Sequence, residues 1–290
     1  MKVDINTKFI GLLGKPLKQS FAARMQNAAY RAAGLNVVYF YNEVENDHLG
    51  DVVNGIRYMP FAGFAVTKPN KVAVLQYLDG LDPLCEKMGA SNTVVKTEEG
   101  KLIGYNTDGV GFYQSLVEEG GLVAKDHTFL LLGAGGAGRA MCSVLAYEGA
   151  KKIYIASRTL ASAEALASDL NANFAPVAEA MPMANYKDVL AKCDCVMNSS
   201  GVGMGKSIGQ NPMKKEDVDT NALYYDACYN PAKTQFLLDA EEKGARVLNG
   251  LGMSLYQGAA QIKLWTGVDA PVEVMRQELF DILAGKAEKE

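Results

Sequence analysis

Gly133-Ala134-Gly135-Gly136-Ala137-Gly138 follows the apolar run Thr128 to Leu132 and precedes the small-residue stretch Arg139 to Tyr147. Strand, glycine turn and helix in that order suit a dinucleotide. The glycines close the turn, admit backbone N–H groups to a pyrophosphate and let the helix pack on the strand. The helix N-terminus adds the positive end of its dipole. A glycine-rich loop of no special role is the plainer alternative, and the flanking strand and helix favour the cofactor. The next strand end chooses between cofactors: an acidic residue there accepts ribose hydroxyls and selects NAD, whereas an arginine accommodates a 2′-phosphate. The chain has Ser157-Arg158-Thr159 and no Asp or Glu before Glu164, so NADP is expected, with NAD as the alternative.

The elements that must position this loop alternate. From Leu131 onward, short apolar runs at Lys152 to Ala156, Cys195 to Asn198, Leu223 to Asp226 and Ala245 to Leu248 are separated by helical stretches such as Leu160 to Leu170 and Lys233 to Lys243. This βαβ rhythm predicts a parallel sheet with helices on both faces and ligands outside the carboxyl ends of its strands. Asn198-Ser199-Ser200-Gly201 and Asn249-Gly250-Leu251-Gly252 end two of those runs. Before Leu131 lies another α/β unit without a phosphate loop. Strands are expected at Phe9 to Leu13, Val37 to Val44, Gly63 to Val66 and Thr93 to Lys96, with helices at Phe21 to Ala33, Asp47 to Tyr58 and Gly109 to Glu119. The tail from Met253 to Ala284 reads as two helices.

At 290 residues, two domains are the default, because single cores stop growing near about 250 to 300 residues. A composition of 49% hydrophobic and 21% charged residues with a net charge of −4 is that of a globular protein. The mild acidity argues against a nucleic-acid groove. The opening stretch Met1 to Lys8 is polar and no run approaches about 18 apolar residues, so no membrane partner is expected and the cytoplasm is the expected location. Five cysteines without framework spacing fit a reducing compartment. Cys193 and Cys195 are expected on one side of a strand as structural thiols, and with only two histidines no metal site is expected.

Further segments, in order, carry a resemblance: Gly14-Lys15-Pro16-Leu17 with Ser20, Gly63 to Lys71, Gly89-Ala90-Ser91-Asn92-Thr93 and Gly104-Tyr105-Asn106-Thr107-Asp108-Gly109. The glycine loop, Ser157-Arg158-Thr159, Tyr229-Asn230-Pro231, Asn249 to Met253 and Gln257-Gly258-Ala259 complete the set. Over nearly its whole length the chain resembles shikimate and quinate dehydrogenases. The resemblance implies an α/β fold with an N-terminal substrate domain (1–107), a Rossmann dinucleotide-binding domain (108–253) and C-terminal helices (254–290) returning to the first. It implies reversible oxidation of a ring hydroxyl on a hydroxylated cyclohexene or cyclohexane carboxylate by a monomer or homodimer.

By the same resemblance, Lys71 and Asp108 are expected to carry the proton chemistry, and Ser20, Thr67, Asn92 and Gln257 to bind substrate. Gly133, Gly135, Gly136, Ala137, Gly138, Ser157, Arg158, Thr159, Asn198, Gly252 and Met253 are expected at the cofactor. A solvated lysine opening a helix over Lys71 to Leu78, and a helix N-cap at Asp108, are the plain alternatives. Around Ser20 the family usually has a second serine and then a proline, where this chain has Ala22 and Ala23, and Ala65 replaces a common asparagine. A hydrogen bond to a charged group is worth about 1.5 to 3 kcal/mol, so a lost carboxylate contact is large enough to change the preferred substrate. Arg24, Lys18 and Lys68 are the basic groups near the gap. Two alternatives stay open: a same-fold oxidoreductase with a diverged substrate, and a cofactor-binding regulator without turnover.

Overall fold

The structure, a computed structural model, describes residues 3–18 and 20–287. Two compact units divide the chain, one comprising Met1–Thr107 with Leu255–Glu290 and the other Asp108–Ser254. No helix among the described residues is long and apolar enough to cross a membrane.

The first unit runs β1 (Lys8–Gly14), α1 (Ala22–Ala32), β2 (Val37–Glu43), α2 (Asn46–Ile56), β3 (Phe61–Val66), β4 (Gly80–Leu81), α3 (Pro83–Met88), β5 (Thr93–Lys96) and β6 (Leu102–Tyr105). Its sheet has the order β2-β1-β3-β5-β6-β4. Strands β1, β2 and β3 are mutually parallel, whereas β5 runs antiparallel to both β3 and β6. Leu13, Phe64, Val66 and Val94 bury one face under Leu49, Val53 and Ile56 of α2. Gly34, at φ +65°, stops α1 where a left-handed residue lets the last carbonyls be capped. The expected helix at Lys71 to Leu78 is only a 3₁₀ turn over Ala73–Tyr77. The short β4, α3 and β6 carry no period long enough to be read from the sequence.

The second unit contains α4 (Thr107–Glu118), β7 (Thr128–Leu132), α5 (Gly136–Tyr147), β8 (Lys152–Ser157), α6 (Leu160–Asn173), β9 (Ala178–Pro182), α7 (Lys187–Leu190), β10 (Cys195–Asn198), β11 (Leu223–Asp226), α8 (Gln235–Glu242) and β12 (Arg246–Leu248). All its strands are parallel in the order β12-β11-β10-β7-β8-β9, which is the Rossmann arrangement. Both faces are covered, which is why the strands are continuous apolar runs. Phe129, Leu131, Met197 and Tyr225 face the layer holding Met141, Leu145 and Leu166, while Leu130, Leu132, Val196 and Tyr224 face that of Phe236, Leu237 and Ala240. Cys193 and Cys195 do not share a side as expected. Cys193 precedes β10 and joins the second layer, and Cys195 points into the first.

The chain then enters α9 (Leu251–Thr266) and α10 (Val272–Leu283). Within the first unit, α9 reaches β5 through Trp265 Nε1, which donates to the Val94 carbonyl at 2.9 Å. A Cβ on Gly63 would strike both groups, so only glycine admits this approach. Helix α10 packs on α1 through the Arg24–Glu278 ion pair.

Candidate active site

In the second unit, the glycine loop leaves β7 and Ser199-Ser200 leave β10, the two strands between which the sheet reverses its order. Ligands in open α/β sheets bind at such a point. A cleft of about 250 Å³ opens there, lined by Gly133, Ala134, Gly135, Ser157, Arg158, Thr159, Ser162, Met183, Ser199 and Ser200. Gly133 sits at φ +100°, and a Cβ on it would lie 2.6 Å from Ser200 Cα. Gly135 and Gly136 are exposed, and a Cβ on either would meet no heavy atom within 4 Å. Helix α5 starts there without a side-chain cap, so its first-turn N–H groups are the anion donors the loop has to offer. Arg158 is exposed at the cleft and makes no ion pair among the described residues. These features fit a dinucleotide carrying an extra phosphate.

Gly138, Asn198, Gly252 and Met253, also expected at the cofactor, do not line this cleft. A Cβ on Gly138 would collide with Ser199 Oγ and the Gly133 carbonyl, so this glycine permits close helix–strand packing. Asn198 is buried, and both ends of its amide are spent on the loop that follows. Its Nδ2 donates to the Val202 carbonyl and to Asp226 Oδ2, each at 3.0 Å, and its Oδ1 accepts from Ser200 N and Ser200 Oγ. Asp226, level with Asn198 in the sheet register, also accepts from Thr234 Oγ1 and Cys228 N. Its burial raises the carboxyl pKa. Asp226, Ser162 and Met183 escaped the sequence reading. A polar residue ending each of two adjacent strands was the available signal for Asp226, and Met183 gave none. Gly252 packs against Ser115 and Glu119, and Met253 against the core of the sheet.

In the first unit, Ser20 and Thr67 follow the carboxyl ends of the parallel strands β1 and β3. The Ser91 N–H donates to the Lys71 carbonyl at 2.8 Å, and the Val66 N–H to the Asn92 carbonyl at 2.8 Å, which ties Lys71, Asn92 and the Thr67 loop together. Asn92 Nδ2 points at Gln257 Oε1, 3.5 Å away on α9. Lys71 is half-buried. Ser20 is held by its neighbours: its carbonyl accepts from the Tyr41 hydroxyl at 2.7 Å, which accepts from Ala23 N at 3.1 Å. Asp108 lies in the first turn of α4, where a carboxylate complements the helix dipole. Arg24 is not available to a ligand as the sequence allowed. Its guanidinium is spent on Glu278 and on the carbonyls of Lys286 and Ala287. Lys18 and Lys68 are exposed.

A doubly wound sheet with a phosphate-ready cleft, in one chain with a lysine, hydroxyls and amides gathered at a second set of strand ends, defines a nicotinamide-dependent oxidoreductase. The chain matches the shikimate dehydrogenase substrate-binding domain over residues 12–94, the shikimate/quinate 5-dehydrogenase family over 116–216 and the shikimate 5′-dehydrogenase C-terminal domain over 250–280. It is 39% identical to a shikimate dehydrogenase (NADP(+)) of Methanococcus aeolicus over 97% of this chain and 100% of that protein. The structure of a Listeria monocytogenes shikimate 5-dehydrogenase in complex with shikimate and NAD superposes with a TM-score of 0.92 at 35% identity, covering 97% of this chain and 99% of that one. A 5-ketofructose reductase of Gluconobacter aligns with a TM-score of 0.88 at 32% identity over 96% of this chain and 100% of its own. The chain belongs to the shikimate dehydrogenase family.

Proposed function

We propose that the protein is an NADP-dependent dehydrogenase that reversibly oxidises a ring hydroxyl of shikimate. The gathering of Thr67, Lys71, Asn92 and Gln257 at the strand ends of the first unit carries this reading. The Gluconobacter reductase shares the fold, so fold alone does not choose the substrate. Shikimate is supported by the activity named for the relatives of this chain. The same relatives give no support to a cofactor-binding regulator without turnover.

Gly133, Gly135, Gly136, Ala137 and the N-terminus of α5 would hold the pyrophosphate, and Arg158 with Ser157 and Thr159 would hold the 2′-phosphate. Bound NADP would supply the hydride acceptor for the alcohol carbon. Losing that hydride leaves a proton on the hydroxyl oxygen, and the Lys71 amine is the base that takes it and returns it in the reverse direction. Asp108 accepts a hydrogen bond from a substrate hydroxyl, and Ser20, Thr67, Asn92 and Gln257 hold the other hydroxyls and the carboxylate. Five buried, unpaired thiols suit a reducing cytoplasm. A small-molecule substrate, handled by a monomer or homodimer without nucleic acid, completes the reading.

Lys71→Ala should lower kcat with shikimate by about 10² to 10⁴, the usual size of general acid–base help. NADP affinity, read by fluorescence titration, should stay at the native value. A near-native kcat in this variant contradicts the assignment of Lys71.

A further inference from the structure

Behind the substrate amides lies a series of hydrogen bonds whose direction is fixed at both ends by the backbone. The Thr107 N–H, which can only donate, is 2.7 Å from one end of the Asn92 amide, so that end is Oδ1. Asn92 Nδ2 therefore faces Thr107 Oγ1 at 3.0 Å and Gln257 Oε1 at 3.5 Å. At the far end, the Gly258 carbonyl, which can only accept, lies 3.2 Å from Gln26 Nε2. The same nitrogen reaches Gln261 Oε1 at 3.2 Å. Gln261 thus presents Nε2 to Thr93 Oγ1 at 2.9 Å. The Thr93 hydroxyl, accepting from Gln261, has two acceptors in reach, Asn92 Oδ1 at 2.8 Å and Thr107 Oγ1 at 3.1 Å, and the shorter contact is to Asn92. Thr107 Oγ1, 3.1 Å from both Thr93 Oγ1 and Asn92 Oδ1, closes the cluster.

The side-chain donors Gln26, Gln261, Thr93 and Asn92 are all buried, and they come from α1, α9, the first residue of β5 and the residue just before it. The arrangement is not the one packing alone would select. Gln26 Oε1 is buried with no partner among the described residues, a cost an apolar side chain of similar size would avoid. What the amide gains in exchange is direction.

We propose that Thr93 is a positioning residue for the substrate amides, its hydroxyl proton steered onto Asn92 by Gln261 and Gln26. Asn92 is held with Nδ2 toward Gln257 Oε1, and Gln257 therefore turns its own amide nitrogen away from Asn92. The inference rests on the assignment of Asn92 and Gln257 to substrate binding.

The test combines kinetics with a measurement that needs no substrate. Thr93→Val keeps the branched shape and removes the hydroxyl. It should raise KM for shikimate about tenfold, the size of one lost polar contact, with kcat changed by less than about threefold and NADP affinity unchanged. Thr93→Ser should restore a KM close to native. Gln261→Met should raise KM by about threefold in the native background and add nothing to Thr93→Val, because its effect passes through Thr93. In the ligand-free protein, the Asn92 Nδ2 protons, followed by NMR, should exchange with solvent about tenfold faster in Thr93→Val. An unchanged KM in an active Thr93→Val protein, or a Gln261→Met effect that adds in full, overturns the inference. Unchanged amide exchange overturns it whatever the substrate. A native protein that does not oxidise shikimate removes the functional reading alone, since the exchange measurement still decides the role of Thr93.

Discussion

Arg24 shows what a single residue cannot reveal by type. In the sequence it is one of three cations near the Ala22 gap, with Lys18 and Lys68. In the structure it is tied to Glu278, with side chains only 18% and 11% exposed, and joins α1 to α10. The signal lay more than 250 positions away along the chain, beyond any local pattern. Arg24→Ala is therefore expected to leave the KM for shikimate near native. It should lower the unfolding free energy by about 3 kcal/mol, measured by urea titration, because it leaves the buried Glu278 carboxylate without its cation. Ala22→Ser should act in the opposite way, improving KM by about tenfold through a restored donor beside Ser20, with little change in stability. A KM spoiled by Arg24→Ala and indifferent to Ala22→Ser would reverse these assignments. Lys71, Asn92 and Gln257 are singled out in the sequence only because ordered motifs surround them; taken singly, each is an ordinary polar residue.

At the scale of elements, the sheet of the second unit was readable because each of its central strands is a buried apolar run set off by a helix or loop, and β7 is followed at once by glycines. Strand β9 (Ala178–Pro182) was not, since only Ala178 and Met181 in it are buried. Helix α3 did announce itself, with Asp82 capping Leu84 and Cys85, Pro83 in the first turn and Gly89 at φ +65°, but six residues are too few for a helical period. The glycine loop separates two roles that the sequence merges. Gly133→Ala forces a φ of +100° on a residue with a Cβ and drives that Cβ into Ser200. It should lower both the melting temperature and the affinity for NADP, with a strain of about 1 to 3 kcal/mol. Gly135→Ala meets no atom within 4 Å and lines the cleft, so it should weaken NADP binding while the melting temperature holds. Calorimetry and fluorescence titration on both variants check this, and equal melting points for the two would contradict it.

For the molecule as a whole, the order of motifs along the chain carried the fold. An α/β unit, a Rossmann sheet and two closing helices follow one another as the resemblance implied, and α9 and α10 contribute to the first unit through Trp265 and Glu278. What order could not convey is how helices distant in sequence share a core. Gln26, Gln261 and Thr93 belong to three elements, and their hydrogen bonds exist only once the chain has folded. Substrate choice is likewise a property of the assembled protein, and the Gluconobacter 5-ketofructose reductase shows that proteins sharing this fold are named for different substrates. The most direct measurement is the initial rate of cofactor reduction by the native protein with shikimate, under NADP and under NAD. The expected result is saturable, shikimate-dependent NADPH formation with a kcat/KM exceeding that for NAD by about tenfold or more, the worth of one well-placed charged contact at Arg158. No shikimate-dependent reduction of either cofactor would contradict it.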